Sequence, residues 1–227
     1  IKAKSSESYT SKDLVMDLET NILYNNGLNI RQREYLDNTS YKDEWFLYKT
    51  ILQSWNSDSN GVGYWTHNPS LYTEKIDLSS TFYFNNGVNS AVNQWKNALC
   101  IDFPSGIEDT ADIKCYGATK EFFQTFMNVE FDSTTVGLTS WSYSSDGTTT
   151  YWGDSCKSIY RMSSAKIYIL SLGYDDPTQK EIVVHEFGHA LGYFGHSQIK
   201  NNVMYPYCHS AYTLKPEEIA YLKQFYN

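Results

Sequence analysis

Hydrophobic positions along the chain change their period twice. From Ser11 to Trp55 they fall at helical spacing, most clearly at Tyr41, Trp45, Tyr48, Ile51, Leu52 and Trp55, with Lys42, Asp43, Glu44 and Lys49 mostly off that stripe. This predicts an amphipathic helix. The turn formers of 56–63, NSDSNGVG, then break the pattern and divide a helical N-terminal segment, residues 1–60, from a second region, 61–227. Beyond that boundary, strand-like runs occur at 81–84 (TFYF), 100–103 (CIDF), 111–115 (ADIKC), 136–141 (VGLTSW) and 166–170 (KIYIL). Between the first two, Ala91, Val92, Trp95, Ala98 and Leu99 mark a helix behind an Asn89/Ser90 cap. Strand, helix and further strands imply an α/β sheet. Residues 142–158 are rich in Ser, Thr, Gly and Asp with no apolar period, which predicts a long surface loop.

The next helix carries its own start and stop signals. Asp176 can cap it, Pro177 suits the first helical position, and Gln179 stands where a capping box places its amide or carboxylate. Val183, Phe187, Ala190 and Leu191 form one buried stripe, and Ile182, His185, Glu186 and His189 share the adjacent face. Gly192 can end the helix in a left-handed turn. A last helix is predicted over 216–226, with Ile219, Leu222 and Tyr226 inward and Glu217 and Glu218 at its positive end.

The chemistry sits in His185-Glu186-Phe187-Gly188-His189. On a helix, the i and i+4 spacing puts both imidazoles on one face, able to hold a single Zn²⁺. Glu186, on the rim of that face, can take a proton from water without itself becoming a ligand. The alternative is a pair of hydrogen-bonded structural histidines. Against it, His196 follows closely enough to supply a third nitrogen, leaving an open position, which is the catalytic rather than the closed structural arrangement. His209 is the fallback third ligand, and Asp175 or Asp176 a more distant one.

The runs HEFGHALGYFGHS at 185–197, VMYPYCHS at 203–210 and LKPEEIAYLKQFY at 214–226 resemble the matrixins, zinc endopeptidases of the metzincin clan. Weaker similarity extends upstream through the Trp95 helix, ADIKCYG at 111–117 and GLTSW at 137–141. The resemblance implies a twisted, mostly parallel sheet with one antiparallel edge strand, an active-site helix, a Met-turn and a C-terminal helix. It also implies that Met204 forms an apolar floor under the metal. Leu138 would lie on the substrate-binding edge strand, with Pro206 and Tyr207 lining the pocket for the side chain after the scissile bond. Its activity would be hydrolysis of extracellular proteins or peptides with one catalytic Zn²⁺, Glu186 handling the proton. A rival reading is an inactive secreted binding module that keeps the zinc for stability.

This chain departs from the family pattern in three places. The third histidine comes one residue late, with Gly195 in its usual place, so the loop must bulge, and a glycine there can adopt the unusual backbone angles required. Cys208 occupies the place of a family tyrosine, which is displaced to Tyr207. Ligands for accessory metals are not recognisable between 117 and 170.

Composition bounds the rest. With 18 basic and 26 acidic residues the net charge is −8, which argues against a nucleic-acid partner. No apolar run is long enough to span a membrane. Four cysteines without a CxxC pair suggest an exported protein with two disulfides, Cys100 with Cys115 and Cys156 with Cys208 being the preferred pairing among three. A monomer is expected. Residues 1–60 contain no cysteine, which excludes a thiolate latency switch from that segment. They form either a packed helical extension or a pro-segment whose carboxylate, from Asp13, Asp17, Glu19 or Asp37, covers the metal.

Overall fold

A computed structural model describes residues 61–152, 155–209, 212–223 and 225–226. The helix expected within 11–55 and the division at residue 60 lie outside the described residues. Five strands form one sheet: β1 (Gly61–Tyr64), β2 (Leu71–Lys75), β3 (Ile113–Ala118), β4 (Gly137–Trp152) and β5 (Ser155–Leu170). The helices are α1 (Phe84–Leu99), the short α2 (Lys120–Phe122) running into a π turn at Phe123–Met127, α3 (Asp176–Ala190) and α4 (Pro216–Lys223).

β5 organises the sheet. Along one edge it pairs antiparallel with β4, Gly137 opposite Ile169. Its other edge takes two parallel partners end to end, β1 with Gly61 opposite Ser158 and β3 with Ile113 opposite Ala165. β2 extends the sheet outward from β3, also in parallel. The mostly parallel sheet with one antiparallel strand is therefore present, and no described strand pairs with the far edge of β4.

Alternation along the central strands explains why the sheet is covered on both faces. Ile113, Cys115, Ile167 and Ile169 join the main core with residues of α1, α3 and α4. Tyr116, Ala118, Tyr168 and Leu170 point the other way, into a smaller aromatic cluster with Phe123 and Phe131. Two tryptophans tie the α3 side together through buried hydrogen bonds. Trp95 donates its indole N–H to the Val184 carbonyl at 2.9 Å, and Trp65 donates to that of Ala190 at 2.9 Å.

Several local expectations are corrected. The run 81–84 is a turn leading into α1, which begins at Phe84 rather than behind Asn89. Phe82 and Phe84 are both buried, so two apolar anchors at the helix start mimic a strand's alternation. Residues 100–103 form no strand: Cys100 closes α1 in the left-handed region (φ 58°), and Ile101 and Phe103 pack on the core from irregular chain. The expected loop 142–158 is mostly the β4–β5 hairpin. Residues 142–145 are exposed, so an antiparallel ladder without a buried face leaves no apolar period to read. Asp175, not Asp176, caps α3, its carboxylate accepting the Thr178 N–H at 3.1 Å, and α4 ends at Lys223.

The expected disulfides are absent. Cys100, Cys115 and Cys208 are free thiols. Cys115 points inward from β3 with no exposed surface, whereas Cys100 faces solvent at the end of α1 and Cys208 lies on the surface beside the cleft described below. A buried strand position and an exposed helix cap offer no common geometry for a bridge.

Candidate metal centre

α3 buries its apolar side against α1 and the sheet and turns His185, Glu186 and His189 toward a cleft. The two histidine Nε2 atoms lie 3.0 Å apart. Each Nδ1 faces a backbone carbonyl at 2.7 Å, that of Val203 for His185 and that of Tyr193 for His189. A carbonyl can only accept, so both Nδ1 atoms carry the proton and both Nε2 atoms present lone pairs.

Beyond α3 the chain reverses at Gly192 (φ 103°), as expected, and turns again at Gly195 (φ 74°). This second left-handed residue absorbs the extra position ahead of His196. The His196 ring then stands 5.4 Å from that of His185 and 5.1 Å from that of His189, and the ligand atoms of all three lie within 4.8 Å of one another. Among the described residues, no other histidine, cysteine or carboxylate cluster has this property. The fallback ligands are engaged elsewhere: His209 pairs with Glu181, Asp175 caps α3, and Asp176 meets Lys180 at 2.6 Å.

Two lone pairs facing each other at 3.0 Å repel unless a cation stands between them. Tetrahedral Zn²⁺ with bonds near 2.0–2.1 Å asks for nitrogens roughly 3.3 Å apart, so this donor set suits such an ion. Burial reinforces the fit by favouring neutral imidazoles. It lowers His185 to about 4 against the opposing Val203 hydrogen bond, and it holds His189 well below its ordinary value, with His185 and His196 adding to the effect. Neutral imidazole is the form that ligates.

The matrixin family profile matches residues 66–227, more than half of the chain. The chain belongs to the matrixin family. A search among curated proteins returns no match. In this matrixin the cleft, of about 400 Å³, runs between β4 and the segment after the histidines, and it brings together the three histidines, Glu186, Leu138, Pro206 and Tyr207. Met204 is fully buried against α3, where a Cβ at Gly188 would meet its Sδ at 2.3 Å. Its carbonyl accepts the Ser197 N–H at 2.8 Å, and its own N–H donates to Glu218 Oε1 at 2.7 Å.

Glu186 is buried beside β4. Its Oε2 accepts the Thr139 hydroxyl at 2.6 Å, and Gly137 leaves the room it needs, since a Cβ there would stand 2.7 Å from Oε1. Desolvation pushes its carboxyl up to about 7, opposed by the Thr139 bond. Trp141 covers the opposite end, tilted over His189 at 6.0 Å and stacked on Phe194 at 5.0 Å. Sequence reasoning placed Thr139 on the edge strand without a role, because its partner lies 47 residues away. It also left out Glu181, another cleft residue, although its spacing four before His185 on the same helix face was available as a signal.

Proposed function

We propose that this matrixin is a secreted, monomeric, zinc-dependent endopeptidase acting on extracellular proteins or peptides. The observation that carries the reading is the convergence of three imidazoles, two with the Nδ1 proton fixed by a carbonyl, beside a buried carboxylate and an edge of β4 with which no described strand pairs. Export rests on the family alone, since the cysteines give it no support.

His185, His189 and His196 would hold the ion through their nitrogens. When bound, Zn²⁺ supplies Lewis acidity that polarises the scissile carbonyl and makes a water molecule more acidic. Glu186 accepts the proton of the attacking water and returns it to the leaving amine, a role suited to a carboxyl held near neutrality. Thr139 fixes the orientation of that carboxylate, and the Val203 and Tyr193 carbonyls fix the imidazoles. The outer edge of β4 around Leu138 pairs with an extended substrate backbone, giving affinity that does not depend on sequence. Pro206 and Tyr207 form part of the wall that meets the residue after the cleaved bond.

Cleavage of a quenched-fluorescent peptide library, with and without chelator and repeated on Glu186→Ala, tests the proposal. Chelator-sensitive cleavage that falls at least a hundredfold in Glu186→Ala is expected. Equal inactivity of both proteins while each binds one zinc would instead support the binding-module reading.

A further inference from the structure

The cleft contains an ionisable side chain that the peptide-cleavage reading leaves without a role. Glu181 lies on α3 one turn before His185, so Glu181, His185 and His189 recur every four residues along one stripe. Its Cα stands about 6 Å further along the helix axis than that of His185. It lines the cleft at the end walled by Ile182, Tyr205, Pro206, Tyr207 and Cys208.

A carboxylate that is only 2% exposed is costly unless it is hydrogen-bonded. His209 answers this cost: its backbone N–H lies 3.0 Å from each carboxylate oxygen, and its Nδ1 is 2.8 Å from Oε1. The same Nδ1 is 3.1 Å from the Tyr207 carbonyl, so one ring proton serves both acceptors. Nε2 of His209 is buried and has no hydrogen-bond partner among the described residues.

Among the described residues, no lysine or arginine lines the cleft beside this carboxyl group. Burial first, and then the Glu181 and Glu186 carboxylates, push the Cys208 thiol up to about 11. An apolar subsite would be served by an apolar side chain at position 181, continuing the run Ile182, Val183 and Val184. The chain instead places a carboxyl side chain there, and His209 meets it through three polar contacts.

We propose that Glu181 makes this end of the cleft select a cationic side chain, lysine or arginine, on the substrate residue that follows the cleaved bond. The inference rests on the peptidase reading for its choice of ligand. An ammonium or guanidinium entering the cleft meets a carboxylate shielded from water, where charge-assisted hydrogen bonds are strongest. An aliphatic side chain entering the same space displaces water from that carboxylate and returns nothing. The difference is worth about ten- to a hundredfold in specificity.

The test is competition between two peptides that differ only in lysine or leucine after the cleaved bond. They are mixed in one reaction, so that the ratio of their kcat/KM values does not depend on the folded fraction of enzyme. Wild type should favour lysine at least tenfold, Glu181→Asp should keep the sign of that preference, and Glu181→Gln and Glu181→Leu should abolish or reverse it. The same peptides are titrated against Glu186→Ala by calorimetry, with and without a second Glu181→Gln change. Tighter binding of the lysine peptide that disappears with Glu181→Gln supports the inference even if no peptide is cleaved, an outcome that would sink the peptidase reading alone. Equal cleavage and binding of the two peptides by wild type, or a lysine preference that survives Glu181→Gln, overturns it.

Discussion

Replacing Glu218 tests how the C-terminal helix supports the metal centre. Glu218 is fully buried on α4; Oε1 accepts the Met204 N–H at 2.7 Å and Oε2 the Lys215 N–H at 2.9 Å. Alanine would leave the buried Met204 donor unpaired, at roughly 1–3 kcal/mol, and the half-buried Lys215 donor at somewhat less. A loss of about 2–4 kcal/mol, or roughly 5–15 °C in Tm for a domain of this size, is expected. The residue before Met204 supplies the carbonyl that orients His185, so the loosened turn should also weaken metal binding by about ten- to a hundredfold.

The same carboxylate predicts a pH dependence. Burial pushes Glu218 up to about 7, outweighing the lowering by the backbone N–H bonds of Met204, Lys215 and Val203. Its folded-state pKa thus lies above the unfolded value of 4.5, and between the two the folded protein binds more protons. Stability from this group therefore falls as pH rises from 4.5 to 7 and is level above that, with a ceiling of about 3 kcal/mol. Urea unfolding of wild type and Glu218→Gln at several pH values isolates the contribution, because the amide does not titrate. The stability difference, wild type minus variant, should decline across that window. A difference that is constant or rises with pH would refute the argument, as would Glu218→Ala melting within 2 °C of wild type.

Three other outcomes follow from the same structure. Gly137→Ala places a Cβ 2.7 Å from Glu186 Oε1, so peptide cleavage should fall more than tenfold while the melting temperature moves by only a few degrees. Chelator should lower the melting temperature as well as activity, by about 4 kcal/mol of stability if free metal stands at a thousand times its dissociation constant, and re-addition of Zn²⁺ should restore both. Thiol titration of the native protein should find Cys100 and Cys208 accessible and Cys115 silent until unfolding, with no change in melting temperature on adding reductant.

Local signals made the histidine-bearing helix α3 legible. Pro177 and Gly192 are read within one turn of where they act, the acidic cap lies one residue before the Asp176 expected, and the histidine spacing is itself a helical quantity. β3 and the end of β5 were legible as apolar runs because both faces of the sheet are covered. Strand β1 was not, since Gly61 and Gly63 read as turn formers. They serve instead where Tyr160, Met162 and the backbone of Gly192 approach too closely for any side chain. β2 escaped notice because it is a half-exposed edge with Thr73 and Glu74 on its surface. The partners of the groups around the histidines were illegible for a different reason. Thr139 meets Glu186, and Glu218 meets Met204, only through tertiary approach, and nothing in either residue's neighbours announces it.

The one-residue insertion before His196 shows how such long-range contacts protect a ligand set. Tyr193 is pinned on two sides, its ring 4.3 Å from that of Tyr221 and its carbonyl bound to His189 Nδ1. Phe194 is pinned on three, by Trp141, Tyr143 and Tyr160 of the β4–β5 hairpin. On the far side of His196, the Ser197 N–H is held by the Met204 carbonyl. With both flanks fixed, the extra length must be taken up at Gly195, the residue in this stretch that adopts φ 74° without a Cβ penalty. Hairpin and insertion therefore belong together. Tyr143, in the strand extension that the Ser- and Thr-rich composition concealed, completes with Trp141 and Tyr160 the aromatic wall on which Phe194 rests, and that anchoring lets a longer loop return its histidine to the other two.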